Sequence, residues 1–441
     1  MSNKYYVPRP VFDTISKVLN QYDVFYADDN PRQGIRRWLS SCFAESNVTV
    51  PSYAQRDFQA ILNFLYSYRG STDTFDAYRR DLERLLQWSW FVREQSILKH
   101  KREDLESFIE FCRKPYKRWI GLKTVARFKR VDGEAIPNSE WRPFTVHVSK
   151  KDHKAGMDPS KDDYQLSQPA LKVMFGILSS FYNYLLQEEL AQVNPIALMR
   201  QKSKYIRTEN TSPIVRRLSD RQWETVINLA KLRAKSEEKE ERTVFILSCL
   251  YSMYLRISEL VASDRWTPTM SDFIKDADGN WWFKTVGKGN KARQIAVSDA
   301  MLEALVYYRK AYLSLPPYPL MGETTPLVGH INNHNASIKS TRPIRQLVQQ
   351  CFDQAADKIE SSGELHEADS LRLATVHWLR HTGISDDVKI RPREHVRDDA
   401  GHSSSAVTDR YIDVELKERA RSAKDKPMMV EEHQHSSKKK R

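Results

Sequence analysis

The C-terminal part of the chain reads H-W-L-R-H-T at 377–382, A-G-H-S-S at 400–404 and T-D-R-Y at 408–411. This stretch combines a fixed cation, three imidazoles and a phenol: Arg380, His377, His381, His402 and Tyr411. A guanidinium binds two phosphate oxygens at once, imidazoles exchange protons near neutral pH, and a tyrosine hydroxyl can act as a covalent nucleophile. The combination predicts a phosphodiester reaction that uses neither a metal ion nor another cofactor.

Such a reaction also needs a second fixed cation and a proton donor for the leaving oxygen, and both residue types occur upstream. Arg256 lies in Y-L-R-I-S-E-L at 254–260, and Lys288 lies in V-G-K-G-N-K at 286–291. Two guanidiniums stabilise the charge that develops on the non-bridging oxygens of a phosphate under attack. A lysine at a hairpin turn can protonate the expelled 5′ oxygen, and Lys291 is the alternative donor.

Each of these residues has a simpler interpretation when it is taken alone. Arg256 is placed to pair with Glu259 at i+3. A lysine in a hairpin turn is ordinarily solvated, and most of the 20 tyrosines are expected to pack with a tethered hydroxyl. The occurrence of all five motifs in one chain favours the catalytic interpretation.

The five motifs, in this order, resemble those of the tyrosine recombinase (phage integrase) family. The catalytic residues that the resemblance implies are Arg256, Lys288, His377, Arg380, His402 and Tyr411. In that assignment Arg256 and Arg380 clamp the phosphate, Lys288 is the general acid, and Tyr411 is the nucleophile.

The resemblance also implies roles for the remaining motif residues. His377 is expected to transfer protons or contact the phosphate, and His402 to hydrogen-bond the phosphate. His381 belongs to the motif as a structural residue, and Glu259 matches an acidic position that supports Arg256.

By this resemblance the chain is expected to be a site-specific recombinase that forms a 3′-phosphotyrosyl intermediate without metal or ATP. Its length and its insertion favour an integrase or transposon recombinase of a mobile element. The implied partners are double-stranded DNA, three further copies in a homotetramer on paired sites, and accessory DNA-bending or directionality proteins. Two alternatives stay open: a type IB topoisomerase that relaxes DNA without pairing sites, and a DNA-binding regulator that retains the fold.

The composition agrees with a nucleic-acid partner. The chain of 441 residues carries 70 Lys and Arg against 57 Asp and Glu, a formal net charge of +13, and an excess of this kind favours polyanions. No apolar run reaches the ~20 residues of a membrane span, and the four cysteines form no C-x-x-C pair. We expect reduced, buried thiols and a bacterial cytoplasmic, nucleoid-associated location.

Hydrophobic periodicity predicts a mainly α fold with a small antiparallel sheet. The expected organisation is an N-terminal helical extension, a helical core DNA-binding domain with an insertion, a linker, a mixed α/β catalytic domain and a charged tail. The respective boundaries are 1–50, 51–200 with the insertion at 113–165, 201–217, 218–423 and 424–441. The resemblance implies that the two main domains form a C-shaped clamp around DNA. In the second domain we expect helices at 219–236, 240–253, 256–264, 299–314 and 339–361, and a hairpin around Lys288.

Some features depart from the family pattern. The insertion is long, residues 1–50 do not look like the usual arm-binding domain, and residues 384–399 replace a more apolar segment. Basic residues interleaved with aromatics in the insertion suit a nucleic-acid backbone, although a solvated insertion is the simpler interpretation. The predicted DNA contacts are Arg79, Arg80, Lys117, Arg118, Lys204 and Arg207.

Overall fold

The computed structural model describes residues 6–27, 31–46, 48–132, 134–148, 156–197, 199, 205, 216–263, 266–287 and 291–402. The chain divides into two compact units, Met1–Asn210 and Thr211–Arg441. Both are built mainly from helices with small sheets, which confirms the predicted fold class. None of the helices within the described ranges is long and apolar enough to cross a membrane.

The first unit is a helical bundle with four short strands. Its helices are α1 (Ile15–Ala27), α2 (Pro31–Phe43), α3 (Ala54–Ser67), α4 (Thr72–Trp88), α5 (Arg102–Arg113) and α6 (Gln168–Gln187). Each of α3, α4 and α6 buries an apolar stripe in one hydrophobic core. Ser167 begins α6 by accepting a hydrogen bond from the amide of Ala170, an N-cap of the expected kind.

The N-terminal extension shares this core. Val11 and Phe12 are fully buried, and the Phe12 ring stacks on Phe58 of α3 at 4.7 Å. The carboxylate of Glu83, on α4, accepts hydrogen bonds from the amides of Val11 and Phe12 at 2.6 and 3.2 Å. The extension is therefore held by both apolar packing and buried hydrogen bonds.

The insertion contributes four short strands to the first unit. They are β1 (Ile120–Gly121), β2 (Phe128–Val131), β3 (Glu134–Pro137) and β4 (Phe144–Thr145). β1 pairs with β4 in parallel and β2 pairs with β3 in an antiparallel hairpin. Trp119 and Phe144 are buried in the helical core, and Trp141 lies under the guanidinium of Arg127. Much of the aromatic character of the insertion is therefore used for packing.

In its described part, the second unit contains seven helices, one three-stranded sheet and one separate hairpin. The helices are α7 (Asp220–Ser236), α8 (Glu241–Ser252), α9 (Asp299–Tyr307), α10 (Arg342–Ser361), α11 (Leu365–Leu373), α12 (Val376–Asp387) and α13 (Arg393–Ala400). The strands are β5 (Phe273–Lys275), β6 (Trp281–Val286), β7 (Ala292–Ala296), β8 (Gly329–His330) and β9 (Asn333–Ser337). β5, β6 and β7 form an antiparallel sheet in that order, and β6–β7 is the predicted hairpin.

Two sequence predictions for this unit were wrong in detail, and one strand was not predicted. The helix expected over 256–264 is only a short 3₁₀ turn, Ile257–Leu260, because the backbone becomes extended at Val261, with φ −122° and ψ 151°. The helix expected over 299–314 ends at Tyr307 and continues as a π-helical turn. Strand β5 was not predicted, because its three residues are too short to show alternation.

Candidate functional site

Arg256 is positioned by the turn that follows α8. Its backbone amide donates a hydrogen bond to Glu259 Oε2 at 2.7 Å, and its Nη1 donates to Glu259 Oε1 at 3.1 Å. The i+3 spacing on a single turn makes this double contact possible. The predicted support of Arg256 by Glu259 is therefore present, while the arginine side chain keeps 30% of its surface exposed.

Arg293, on β7, is a site residue that sequence reasoning missed. Its Nη1 and Nη2 donate to the two oxygens of Glu259 at 2.7 and 2.8 Å, and its Nε donates to the carbonyl of Asp399 at 3.0 Å. Burial raises the pKa of Glu259, but the hydrogen bonds and charge of Arg293 outweigh it and hold this pKa below its ordinary value. Glu259 is thus an ionised, buried hub for two arginines.

Gly287 allows the hairpin to approach this hub. A Cβ atom at this position would lie 2.8 Å from Arg293 Nη1 and 3.2 Å from Glu259 Oε1. The amide of Gly287 donates to the carbonyl of Lys291 at 2.8 Å, which closes the hairpin next to the site. Lys291 is exposed, and Lys288 lies outside the described residues.

Arg380, on α12, is almost completely buried, with 2% of its surface exposed. Its Nη1 donates to the carbonyl of Tyr254, and its Nη2 donates to the carbonyl of Ala400 at 2.5 Å. Nη2 also lies 3.4 Å from His402 Nε2. Two backbone carbonyls therefore fix the guanidinium beside an imidazole.

The helix that carries Arg380 packs very closely on α8. A Cβ atom at Gly383 would lie 2.0 Å from the carbonyl oxygen of Tyr251. Only glycine allows this approach. Because α8 leads into the turn of Arg256, the contact at Gly383 sets how near the two arginines come.

The three imidazoles lie in the field of these arginines. The rings of His377 and His381 contact each other edge-on, with centroids 4.3 Å apart. Burial, and then the charges of Arg380 and Arg256, lower the pKa of His377 and lower the pKa of His402 to about 4. Burial, and then His377 and Arg380, lower the pKa of His381 to about 3. All three rings are therefore neutral at pH 7, and each can donate or accept a proton.

Four of the six predicted catalytic residues are brought together: Arg256, His377, Arg380 and His402. The positive charges of Arg256 and Arg380 act on the same two imidazoles, an effect that requires proximity. Tyr411, like Lys288, lies outside the described residues. The arrangement is suited to binding a tetrahedral oxyanion such as a phosphodiester.

The residues predicted to contact DNA differ in their surroundings. Arg79 is buried, donates to the carbonyl of Asp13 and pairs with Asp76 at 2.9 Å, which favours a structural role. Arg80 pairs with Asp81 at 3.2 Å but its side chain is half exposed.

In the insertion, Lys117 is exposed and pairs with Asp162 at 2.7 Å, and Arg118 stacks on the Tyr116 ring at 4.6 Å. Lys204 and Arg207 lie outside the described residues.

Comparison with known proteins finds sequence similarity to tyrosine recombinases. No family model matches the chain. Tyrosine recombinase XerC of Pediococcus pentosaceus is 25% identical over 259 residues, which cover 57% of this chain and 73% of the relative. Tyrosine recombinase XerD of Staphylococcus epidermidis is 24% identical over 257 residues, which cover 57% of this chain and 74% of the relative.

Comparison of the fold with solved structures also finds a site-specific recombinase. The crystal structure of the XerH site-specific recombinase in a post-cleavage complex with palindromic difH substrate aligns with a TM-score of 0.50 and 13% identity, over 94% of this chain and 97% of that one. In fold the chain is similar to this recombinase, and in sequence it is similar to the two tyrosine recombinases named above.

Proposed function

We propose that this chain is a site-specific DNA recombinase that cuts and rejoins strands through a covalent 3′-phosphotyrosyl bond to Tyr411. The observation that carries the proposal is the pairing of Arg380 with His402 at 3.4 Å, in a site where Arg256 acts on the same imidazole. Fixed guanidiniums next to neutral imidazoles provide charge stabilisation and proton transfer at one phosphate.

In this proposal the Tyr411 oxygen attacks the scissile phosphorus, and the bond from phosphorus to the 5′ oxygen breaks. Lys288 gives a proton to that oxygen, leaving a free 5′ hydroxyl. Arg256 and Arg380 stabilise the negative charge on the non-bridging oxygens. The tyrosyl ester conserves the phosphodiester bond, so that a 5′ hydroxyl of another strand can reverse the step and release Tyr411.

His377 and His402 contribute in this proposal as neutral rings. An N–H of His402 would hydrogen-bond the phosphate beside Arg380, and His377 would accept or relay the phenolic proton. The negative phosphate would raise the pKa of both rings, because it offsets the arginine charges that lower these values in the free protein.

The partner in this proposal is double-stranded DNA, which suits the net charge of +13. Arg80, Lys117 and Arg118 carry exposed or half-buried cationic groups that suit backbone contacts, and we extend the same role to Lys204 and Arg207. We further propose that four copies act on two paired sites with accessory DNA-bending or directionality proteins. The length and the insertion favour a mobile element as the source, in a cytoplasmic, nucleoid-associated setting.

The proposal is tested with double-stranded oligonucleotides that tile the DNA flanking the gene, each nicked so that cleavage traps the covalent product. Wild-type protein in EDTA should form an adduct that resists SDS, and Tyr411→Phe should form none. Tyr307→Phe is the matched control, because Tyr307 is 53% exposed and outside the site, and it should behave as wild type.

Other outcomes would decide against the proposal. An adduct with both wild type and Tyr411→Phe would assign the nucleophile to another residue. Salt-sensitive DNA binding without any adduct would favour a DNA-binding regulator. Relaxation of supercoiled plasmids that lack the site would favour a type IB topoisomerase.

A further inference from the structure

Of the two carbonyl groups that hold Arg380, one belongs to a residue with left-handed backbone and the other belongs to the residue just before one. Tyr254, one acceptor, has a φ of 50°, and Ala400, the other, precedes Gly401 with a φ of 65°. Glycine adopts such a conformation readily, whereas a bulky aromatic residue does so only when its surroundings hold it. The direction of the Tyr254 carbonyl, and with it one anchor of Arg380, depends on what holds Tyr254.

The Tyr254 side chain is held by a buried polar network. The residue is fully buried, and its hydroxyl donates to Asp387 Oδ2. Arg391 Nη1 donates to the same hydroxyl at 3.0 Å and to Asp387 Oδ2 at 3.1 Å. The phenol is therefore fixed on both its donor and its acceptor side.

Arg391 also reaches the second anchor. Its Nη2 donates to Asp399 Oδ2 at 2.6 Å, one residue before Ala400. Asp399 is 5% exposed and also accepts from the amide of Ala296 on β7 at 3.3 Å. One planar guanidinium therefore links Tyr254, which presents one carbonyl to Arg380, with Asp399, the neighbour of the residue that presents the other.

We infer that Arg391 is a positioning residue for Arg380, acting through Tyr254 on one side and Asp399 on the other. The inference rests on the proposed function, in which Arg380 contacts the scissile phosphate. Arg391 lies in the segment 384–399 that departs from the family pattern, and the contacts show a use for its unusual charge. Rigid placement of both carbonyls fixes Arg380 before the phosphate arrives.

The fork of Arg391 is essential to this role. A lysine has one ammonium group and cannot bond Tyr254 and Asp399 in the same planar geometry. Arg391→Lys keeps the positive charge but should loosen both anchors. Tyr254→Phe keeps the ring and loses only the hydroxyl contacts, so it should loosen one anchor.

The test compares these two variants with Arg309→Lys. Arg309 is a matched control, because it is 1% exposed and donates to both oxygens of Glu323 at 2.8 and 3.0 Å, away from the site. For each full-length protein we would measure the melting temperature, DNA affinity, and single-turnover rate of adduct formation on the nicked oligonucleotide. A second substrate would carry a methylphosphonate at the scissile position, which removes the charge that Arg380 stabilises.

On the ordinary substrate, Arg391→Lys should slow adduct formation by about 100-fold, as expected when a catalytic group is displaced by about 1 Å. Tyr254→Phe should slow it by about 10-fold for the same reason. DNA affinity should stay within about twofold, and Arg309→Lys should react as wild type. On the methylphosphonate the variants should approach the wild-type rate, because Arg380 no longer has that charge to stabilise.

The outcomes separate the two proposals. If wild type forms no adduct, the proposed function fails. If wild type reacts and Arg391→Lys matches it, the positioning role is wrong. A defect of equal size on both substrates would also overturn it, since it would reflect a general loss of structure.

Discussion

Arg293 donates hydrogen bonds to both carboxylate oxygens of Glu259, at 2.7 and 2.8 Å. The same carboxylate accepts two hydrogen bonds from Arg256. Arg293 also donates to the carbonyl of Asp399, so strand β7 links the turn after α8 to the end of α13. Glu259 neutralises part of the positive charge in the site and fixes the direction of both side chains.

Replacement of Glu259 by glutamine should therefore affect both stability and chemistry. It leaves the largely buried Arg293 and the partly exposed Arg256 without their counter-charge, and we expect the free energy of unfolding to fall by about 3 kcal/mol. Adduct formation should slow by about 10-fold or more because Arg256 loses its orientation. Glu323→Gln, which disturbs the pair with Arg309, should destabilise without slowing the chemistry of the folded fraction. Equal rates for Glu259→Gln and wild type would contradict the assigned support of Arg256.

The close contact at Gly383 predicts a position-specific effect of alanine. A Cβ atom there would meet the Tyr251 carbonyl at 2.0 Å, whereas one at Gly176, in the interior of α6, would meet nothing within 4 Å. Gly383→Ala should lower the free energy of unfolding by about 3 kcal/mol, and Gly176→Ala should raise it by about 0.5–1 kcal/mol. Urea unfolding of both variants measures this, and equal effects would refute the packing argument.

The lowered histidine pKa values predict how stability depends on pH. The pKa values of His377, His381 and His402 are all below the ordinary 6.5 in the folded state, so the unfolded chain binds more protons as the pH falls. This contribution to stability is complete above pH 6.5 and is lost progressively as the pH falls towards 4 and 3.

A variant isolates this effect. His381→Asn should weaken the pH dependence of unfolding between pH 7.5 and 5, since it removes a group whose pKa is lowered to about 3. The measurement is urea unfolding of wild type and His381→Asn at several pH values. The transition to follow is the one that Gly383→Ala shifts, because Gly383 and His381 lie on the same helix. A slope identical to that of wild type would show that His381 does not carry this linkage.

The N-terminal extension should be required for the stability of the first unit. Phe12 is fully buried, and its truncation to alanine should cost about 3–5 kcal/mol. Val24, on α1 in the same extension, is 65% exposed, and Val24→Ala should change stability by less than about 0.5 kcal/mol. Thermal unfolding of the full chain distinguishes the two, and a mild effect at Phe12 would mean that the extension docks only loosely.

Sequence reasoning succeeded where the signal is local. Apolar periodicity located most helices to within a few residues, and the hairpin β6–β7 follows from its turn residues and alternation. The double contact between Arg256 and Glu259 was also foreseeable, because both residues lie on one turn.

What the sequence could not provide are contacts across long separations and backbone conformations. Arg293 is one of many arginines until β7 brings it to Glu259, 34 residues away. The anchors of Arg380 are carbonyl groups, which every residue possesses, so no residue type marks them. The left-handed φ of Tyr254 could not be predicted either, because steric clashes disfavour this conformation for an aromatic residue.

Arg127, in the insertion, bonds both the N-terminal extension and helix α4. Its Nη2 donates to Glu83, which holds the extension, and its Nε donates to the carbonyl of Phe12 at 2.8 Å. The extension and the insertion are therefore bonded to each other and to the same residue of α4, Glu83. A chain that lost the insertion would leave Glu83 without Arg127, and a chain that lost the extension would expose the same acid. Homologous chains should accordingly gain or lose the two segments together, and chimeras that exchange only one of them should fail to fold.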